Sequence, residues 1–202
     1  MRRTYKVMRI LALAVMMAAG VAADGVAAPI VSISPSSQTA MVGDAVSADI
    51  VVSGLTDPTG GFYLLLAFDD TILSGDSYVA DPDGKLGPDA FDLSFGFVGG
   101  TLDLFYSADI DWDAAMLAAA QGTGFKLATV TFLAIASGVS PLTLLDAELS
   151  TADGTGLLAS QSVNGRVCVG GPCPVPEPGL LVLMATGAAV FAVRRRATRR
   201  PV

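Results

Sequence analysis

A two-residue alternation of apolar and polar side chains dominates the chain between residues 29 and 169. It is clearest at 46–52, 91–97 and 128–134, where every second residue is apolar. This period is typical of strands that bury one face. Turn-forming Gly, Pro, Asp and Ser residues separate the candidate strands, which lie at 30–34, 46–52, 62–68, 91–97, 101–106, 126–135, 142–149 and 163–169. Many short strands with few helices predict an all-β fold, a β-sandwich.

Two segments depart from the alternation. Residues 62–68 are continuously apolar, which predicts a central strand that is covered on both faces or whose outer face is masked. Residues 113–121 are rich in alanine and predict a helix, which Asp111 or Asp113 would cap. Trp112 lies just before this helix, where it either stacks on a sugar ring or, more commonly for a loop aromatic, anchors the helix against the sandwich.

The charges are distributed very unevenly. Nine of the twelve Lys and Arg residues lie in the first nine or the last nine positions. Residues 29–173 contain 17 acidic and 3 basic residues, so that this part carries a net charge of −14 (3 − 17), against −7 for the whole chain. An acidic body is a poor partner for nucleic acid. The chain also has no histidine, which excludes Ser-His-Asp and Cys-His nucleophile systems.

The N-terminus has the three parts of a secretory signal. Four basic residues precede the apolar run 10–19, and small residues follow it. Cleavage after a small-residue triplet within 21–28 would remove residues 1–28 as a signal peptide. The alternative is a retained membrane anchor, but the apolar run is short for one. The sequence therefore predicts an exported body.

A second uncharged apolar run spans residues 179–193. As a helix its fifteen residues would be about 22 Å long, and flanking arginines could extend its reach across a bilayer. A buried core helix is the alternative, but five arginines follow directly and a helix-breaking Pro-Glu-Pro precedes. We therefore predict a linker at 170–178, a single transmembrane helix at 179–193 and a basic cytoplasmic tail at 194–202.

The three parts of the C-terminus together resemble the PEP-CTERM sorting signal of Gram-negative bacteria. They are the motif Pro176, Glu177 and Pro178, the apolar run, and the membrane stop formed by Arg194, Arg195 and Arg196. The resemblance implies recognition by an exosortase, which is a membrane-embedded protease of bacteria that make exopolysaccharide. It also implies an inner-membrane-anchored intermediate that ends at the cell surface, in the outer envelope or in the extracellular matrix. An ordinary proline-rich linker above an anchor is the alternative.

The only two cysteines, Cys168 and Cys173, bracket a Val-Gly-Gly-Pro segment. In an exported protein a local disulfide is plausible, because the glycines and the proline favour a tight reversal of the chain. Free thiols and an intermolecular bridge are the alternatives. A catalytic thiol is disfavoured, since no histidine is present to activate it.

The order of features in residues 29–169 resembles the cohesin domain, a nine-stranded jelly-roll sandwich. The residues that carry the resemblance are the opening strand at 31–34 with the Val-Gly-Asp turn at 42–44, the segment 64–73, the strand 127–132, and the Asp-Gly and Asn-Gly turns at 153–154 and 164–165. Asp70 stands where the cohesin segment has proline. The resemblance implies a protein partner of the dockerin type but identifies no interface residues.

Two groups of carboxylates could carry chemistry. Asp69 and Asp70 are adjacent, and Asp109, Asp111 and Asp113 alternate. Such groups can serve glycoside hydrolysis or, in the alternating case, a calcium site assembled with another loop. The later glycine and glutamate of a calcium loop are missing after Asp113, so a helix cap is favoured for the alternating group, and a turn at the end of a strand is favoured for Asp69 and Asp70. No cofactor is therefore expected.

These observations predict a non-enzymatic exported protein of the cell surface or matrix, whose sandwich binds protein or polysaccharide. The first alternative is a polysaccharide-active enzyme that depends on the carboxylates. The second is a simple envelope protein held permanently by its C-terminal helix.

Overall fold

The computed structural model describes residues 28–173. Residues 174–202 and nearly all of the predicted signal peptide lie outside this range, and with them the Pro-Glu-Pro motif, the apolar run and the basic tail. Among the described residues, no helix is both long and apolar enough to cross a membrane.

The described chain folds into thirteen strands and one helix. The strands are β1 (Ile30–Ser34), β2 (Ser37–Ala40), β3 (Ala45–Ser53), β4 (Thr59–Ala67), β5 (Leu73–Ala80), β6 (Phe91–Asp92), β7 (Gly96–Val98), β8 (Thr101–Ser107), β9 (Gly124–Ala134), β10 (Gly138–Thr151), β11 (Leu157–Leu158), β12 (Gln161–Val163) and β13 (Gly165–Val169). The helix, α1, spans Ala114–Gln121. The predicted all-β fold is confirmed.

The strands form two sheets. The first sheet has the order β12-β1-β3-β9-β5, and the second has the order β2-β13-β10-β4-β8-β6, with β7 paired to β8 and β11 to β10. Within residues 28–173 the chain crosses between the sheets nine times, and two of these crossings, from β1 to β2 and from β12 to β13, connect neighbouring edge regions of the two sheets. These two crossings accompany one parallel pair at an edge of each sheet, β1 with β12 and β2 with β13, while the other pairs in residues 28–173 are antiparallel. The result is a jelly-roll sandwich.

Alternate residues of both sheets fill the core. Phe132 of β9 is fully buried, and its ring lies 5.1 Å from that of Phe68 and 5.9 Å from that of Phe97, measured between centroids. Gly75, at a bulge in β5, makes room for this cluster, because a Cβ there would collide with the ring of Phe97. Aromatic residues from both sheets thus meet in the core between them.

One predicted strand, 91–97, is wrong as a single element. The chain forms β6 and β7 instead, because Asp92 Oδ1 accepts a hydrogen bond from Ser94 N at 2.9 Å and Gly96 has a φ of +75°. This turn separates the alternating aromatics. Phe97 packs in the core, whereas Phe91 and Phe95 remain exposed.

Helix α1 is joined to the second sheet by a buried glutamine. Gln121 Oε1 accepts a hydrogen bond from Thr59 N at 2.9 Å, and Gln121 Nε2 donates one to Thr59 O at 2.8 Å. Both residues are buried. The side chain therefore satisfies both backbone groups of Thr59 at the start of β4.

Replacing Gln121 by leucine is expected to lower the free energy of unfolding by about 2–3 kcal/mol, because two buried backbone groups lose their partner. Urea unfolding followed by circular dichroism measures the effect. Gln161→Leu is the matched control, since Gln161 is an exposed glutamine of β12. Equal losses in the two variants would show that the buried pair adds no stability.

Candidate protein-binding surface

The outer face of the first sheet is polar and its charges are paired. Serine and threonine residues such as Ser47 and Thr131 point outward from β3 and β9. Lys126 Nζ lies 3.0 Å from Asp49 Oδ2, and Thr129 Oγ1 donates a hydrogen bond of 2.7 Å to Asp49 Oδ1. Val79 and Leu133 are also exposed on this face, but the register places them beside Thr129 and Ser74 rather than beside aromatic rings.

The outer face of the second sheet combines apolar and acidic side chains. The register places Tyr63 of β4 between Phe105 and Glu148, and Leu65 between Asp103 and Asp146. Leu145, at a bulge in β10, is also exposed. We call this surface the apolar–acidic face and define it by Tyr63, Leu65, Asp103, Phe105, Asp146 and Glu148.

Strand β4 explains why the face is apolar. Its continuously apolar segment lies in the middle of the second sheet, between β10 and β8. Phe62, Leu64 and Leu66 enter the core, so Tyr63 and Leu65 must point outward, where they are partly buried by neighbouring side chains. The Tyr63 and Phe105 rings pack edge to face with centroids 6.5 Å apart.

Asp103 is the residue of this face whose carboxylate is only partly hydrogen-bonded within residues 28–173. Tyr63 Oη donates a hydrogen bond of 3.2 Å to Asp103 Oδ2. Asp103 Oδ1 is buried and accepts no hydrogen bond from residues 28–173. Partial burial, this hydrogen bond and the charges of Asp103, Asp146 and Glu148 raise the pKa of Tyr63. Tyr63 therefore stays protonated as a donor to Asp103 Oδ2, while Asp103 Oδ1 stays unpaired beneath the surface of the face within residues 28–173.

A cleft of about 220 Å³ continues the face toward the start of β4. Tyr63, Phe105 and Leu157 contribute to its walls and Gly61 to its floor. A Cβ at position 61 would lie 2.6 Å from the carbonyl oxygen of Tyr106, so glycine is required there. The cleft is large enough for a side chain of a partner but not for an extended ligand.

The free edge beside this face is also apolar. Phe91 and Val98, from β6 and β7, are exposed, as are Leu93 and Phe95 in the turn between them. The turn is held to the sheet because Phe105 N donates a hydrogen bond of 3.0 Å to Ser94 Oγ. The exposed apolar surface therefore extends from the centre of the second sheet to its edge, and a contiguous patch of this kind is typical of a protein-interaction site.

The alternating aspartates do not form a ligand cluster. Buried Asp109 accepts hydrogen bonds from Asp111 N at 2.9 Å and Asp89 N at 3.2 Å. Asp113 caps α1, accepting from Ala115 N and Met116 N at 2.9 Å each. Capping by Asp113 is thereby confirmed. Within residues 28–173, no group of three or more Cys, Asp or Glu side chains is placed to hold a metal ion.

Replacing Asp113 by alanine is expected to lower the free energy of unfolding by about 1 kcal/mol, because two N-terminal amides of α1 lose their acceptor. Urea unfolding should give the same loss with added calcium and with added chelator. A loss that appears only in the presence of calcium would instead identify Asp113 as a metal ligand.

The adjacent pair Asp69 and Asp70 lies in the turn between β4 and β5. Asp69 Oδ1 accepts hydrogen bonds from Thr71 N at 3.0 Å and Thr71 Oγ1 at 2.6 Å, and these lower the pKa of Asp69. Asp70 is exposed. Trp112 packs against the core and against Gly87. None of these groups belongs to the apolar–acidic face.

Cys168 and Cys173 form a disulfide, the local pairing among the alternatives considered. Cys168 belongs to β13, and Cys173 is the last described residue. Cys173 Sγ lies 3.3 Å from Gln38 O of β2. The end of the described chain is therefore held against the edge of the second sheet.

Comparison with protein families identifies the segment that follows. Residues 174–196 match the model of the PEP-CTERM protein-sorting motif. The chain carries a PEP-CTERM sorting motif. The motif indicates an exported protein that is sorted by an exosortase to the cell envelope or surface. No curated protein matches the chain by sequence.

Solved structures identify the fold of the body in front of the PEP-CTERM motif. The sixth cohesin of scaffoldin B from Acetivibrio cellulolyticus superposes with a TM-score of 0.58 at 15% identity, over 71% of this chain and 99% of that chain. A non-cellulosomal cohesin from Archaeoglobus fulgidus superposes with a TM-score of 0.54 at 18% identity, over 72% and 93%. The body therefore has the cohesin fold.

Sequence reasoning did not find the apolar–acidic face of this cohesin-like body. Its one signal was the continuously apolar segment at β4, which left open whether the strand was covered on both faces. Asp103 and Phe105 come from another strand, and Asp146 and Glu148 from a third. Their convergence depends on sheet order, which no local pattern encodes.

Proposed function

We propose that the chain is a non-enzymatic exported module that binds a protein partner through the apolar–acidic face. In this proposal residues 1–28 are removed as a signal peptide. Residues 179–193 hold an inner-membrane intermediate, and an exosortase then cuts near Pro176, Glu177 and Pro178. The mature protein acts at the surface or in the matrix of a Gram-negative cell. The PEP-CTERM motif supports the delivery and sorting part of the proposal.

The observation that carries the binding part is the exposed surface around Asp103. It combines aromatic and aliphatic side chains with the carboxylates of Asp103, Asp146 and Glu148. The matching partner is an apolar surface with basic side chains that face Asp146 and Glu148.

A protein fits this face better than a polysaccharide does. Leu65, Leu145 and Leu157 supply aliphatic contacts, which suit the core of a protein interface. The sixth scaffoldin B cohesin of Acetivibrio cellulolyticus is in complex with a Cel5 dockerin. For this chain we likewise propose a protein partner, which we place on the apolar–acidic face, with glycan binding as the alternative outcome.

The non-enzymatic part of the proposal is supported by the structural roles of three of the five aspartates that the sequence offered for catalysis. Asp69 holds a turn, Asp109 holds a loop and Asp113 caps a helix, so each is engaged by backbone donors. Acid–base catalysis needs two carboxylates that face one substrate. A polysaccharide-active enzyme is therefore not the function that we propose.

Replacing Phe105 by alanine is expected to weaken partner binding by about tenfold or more, since exposed aromatics at the centre of an interface contribute most to affinity. The test captures partners from the cell envelope on the immobilised mature protein and titrates them against each variant. Thr131→Ala, on the outer face of the first sheet, is the matched control. Equal binding by the two variants, or retention of polysaccharide alone, would contradict the proposal.

A further inference from the structure

The described chain leaves the sandwich at one defined end. After β13, Gly170 N donates a hydrogen bond of 2.8 Å to Ala40 O, the last residue of β2. The disulfide then ties Cys173 back to Cys168. The end of the sandwich at which β2 and β13 terminate is thus also the end nearest to the segment that follows residue 173.

That end exposes a cluster of apolar side chains. Met41 and Val42, in the turn between β2 and β3, are 65% and 55% exposed. Ile135 and Val139, around the turn between β9 and β10, are also exposed. The first turn contacts the end of β9, because Gly43 N donates a hydrogen bond of 2.8 Å to Ala134 O. The second turn contacts the β4–β5 turn, because Ile135 N donates a hydrogen bond of 2.8 Å to Ile72 O. We define Met41, Val42, Ile135 and Val139 as the apolar tip.

The apolar tip adjoins the point of exit. Met41 lines an open cleft of about 420 Å³ together with Gly170, Gly171 and Pro172. Residues 174–178 connect Cys173 to the apolar run at 179, and these six Cα–Cα steps span at most about 22 Å when extended. A membrane that holds residues 179–193 therefore lies within this distance of the exit.

The charges around the tip favour one kind of membrane surface. Asp44, Asp69 and Asp70 lie in the turns at the same end. The basic residues of the described part lie away from the tip. Lys126 is opposite Val51 in the β3–β9 register, near the end of β3 that is farther from the tip. The backbone of Lys85 contacts Gln121, which lies at the end of β4 that is farther from the tip. Arg166 sits beside Ser37, at the start of β2 rather than at its end. The tip is apolar and acidic, so anionic headgroups would repel it.

We propose that the apolar tip lies on the lipid surface while the chain is anchored, with Met41 and Val42 in the interfacial layer of zwitterionic lipids. The inference rests on the proposed membrane anchoring of residues 179–193. A free tip of four side chains binds lipid weakly, but the anchor supplies an effective concentration in the millimolar range. Cleavage near Glu177 removes the anchor and so releases the tip from the membrane.

The test uses the full chain in phosphatidylcholine vesicles, with an environment-sensitive fluorophore at Val42→Cys. Ile110→Cys is the matched control, because Ile110 is exposed near the Thr59 end of β4, about 30 Å from the tip by strand length. Lipids with a headgroup-level quencher are expected to quench the Val42 probe several-fold more than the Ile110 probe. Added phosphatidylglycerol is expected to reduce this quenching.

Vesicle flotation separates failure of the inference from failure of the anchoring. Chain that floats with the vesicles while both probes are quenched equally would overturn the inference and leave the anchoring intact. Chain that does not float would overturn both. The fluorescence emission of the Val42 probe is also measured without vesicles. A blue shift of this emission that increases with protein concentration would show that the tip contacts a second copy of the chain, and it would also overturn the inference.

Discussion

Replacing Pro176, Glu177 and Pro178 together by alanine is expected to abolish processing, so that the chain keeps Arg194, Arg195 and Arg196. Proline blocks helix continuation and favours extended backbone, which is the form that a protease cleft holds. Three alanines instead favour continuing the apolar helix through this segment. Mass spectrometry of the C-terminus in cells that contain an exosortase measures the effect.

Val175→Ala is the control for this triple variant, because it leaves the Pro-Glu-Pro motif intact and should be processed like the unmodified chain. If the triple variant has the same mature C-terminus as the unmodified chain, the motif is not what the protease recognises. If the unmodified chain itself keeps its arginines, the chain is a permanently anchored envelope protein.

Replacing Phe132 by alanine is expected to lower the free energy of unfolding by about 3–5 kcal/mol. The ring is fully buried between the sheets and contacts Phe68 and Phe97, so its removal leaves a cavity that rigid strands cannot close. A domain of this size is stable by about 5–15 kcal/mol, so the loss is a large share of the total. Urea unfolding followed by tyrosine and tryptophan fluorescence measures it.

Phe95→Ala is the matched control for the core variant, because Phe95 is an exposed phenylalanine in the turn between β6 and β7. Its removal should change the free energy of unfolding by less than about 0.5 kcal/mol. Similar losses at the two positions would show that Phe132 is not a central packing residue of the sandwich.

Much of the fold could be predicted from local pattern. Strand β1 coincides with the predicted 30–34, and α1 begins directly after the predicted cap, Asp113. In both places the local pattern agrees with the fold. Alternation indicates a strand with one buried face, and an aspartate before a run of alanines indicates the start of a helix. Strand β4 likewise lies in the centre of its sheet, as its apolar run indicates.

The strands and turns that the sequence did not predict depend on contacts between segments that are distant in the sequence. Strand β5 contains Ser74, Gly75, Asp76 and Ser77 and shows no alternation, yet it pairs along β9 through its backbone. In 91–97 the alternation was real, but a turn at Ser94 sent only Phe97 inward. Alternation shows which residues share a side of a strand, whereas burial depends on which layer covers that side.

Site-specific photo-crosslinking in the producing cells tests most directly whether the apolar–acidic face binds a protein. A photoreactive phenylalanine analogue is placed at position 105 on this face, and at position 131 on the outer face of the first sheet. We predict one dominant protein adduct from position 105 and none from position 131. Equal adducts from both positions, or no protein adduct from position 105, would contradict a protein-binding role for this face.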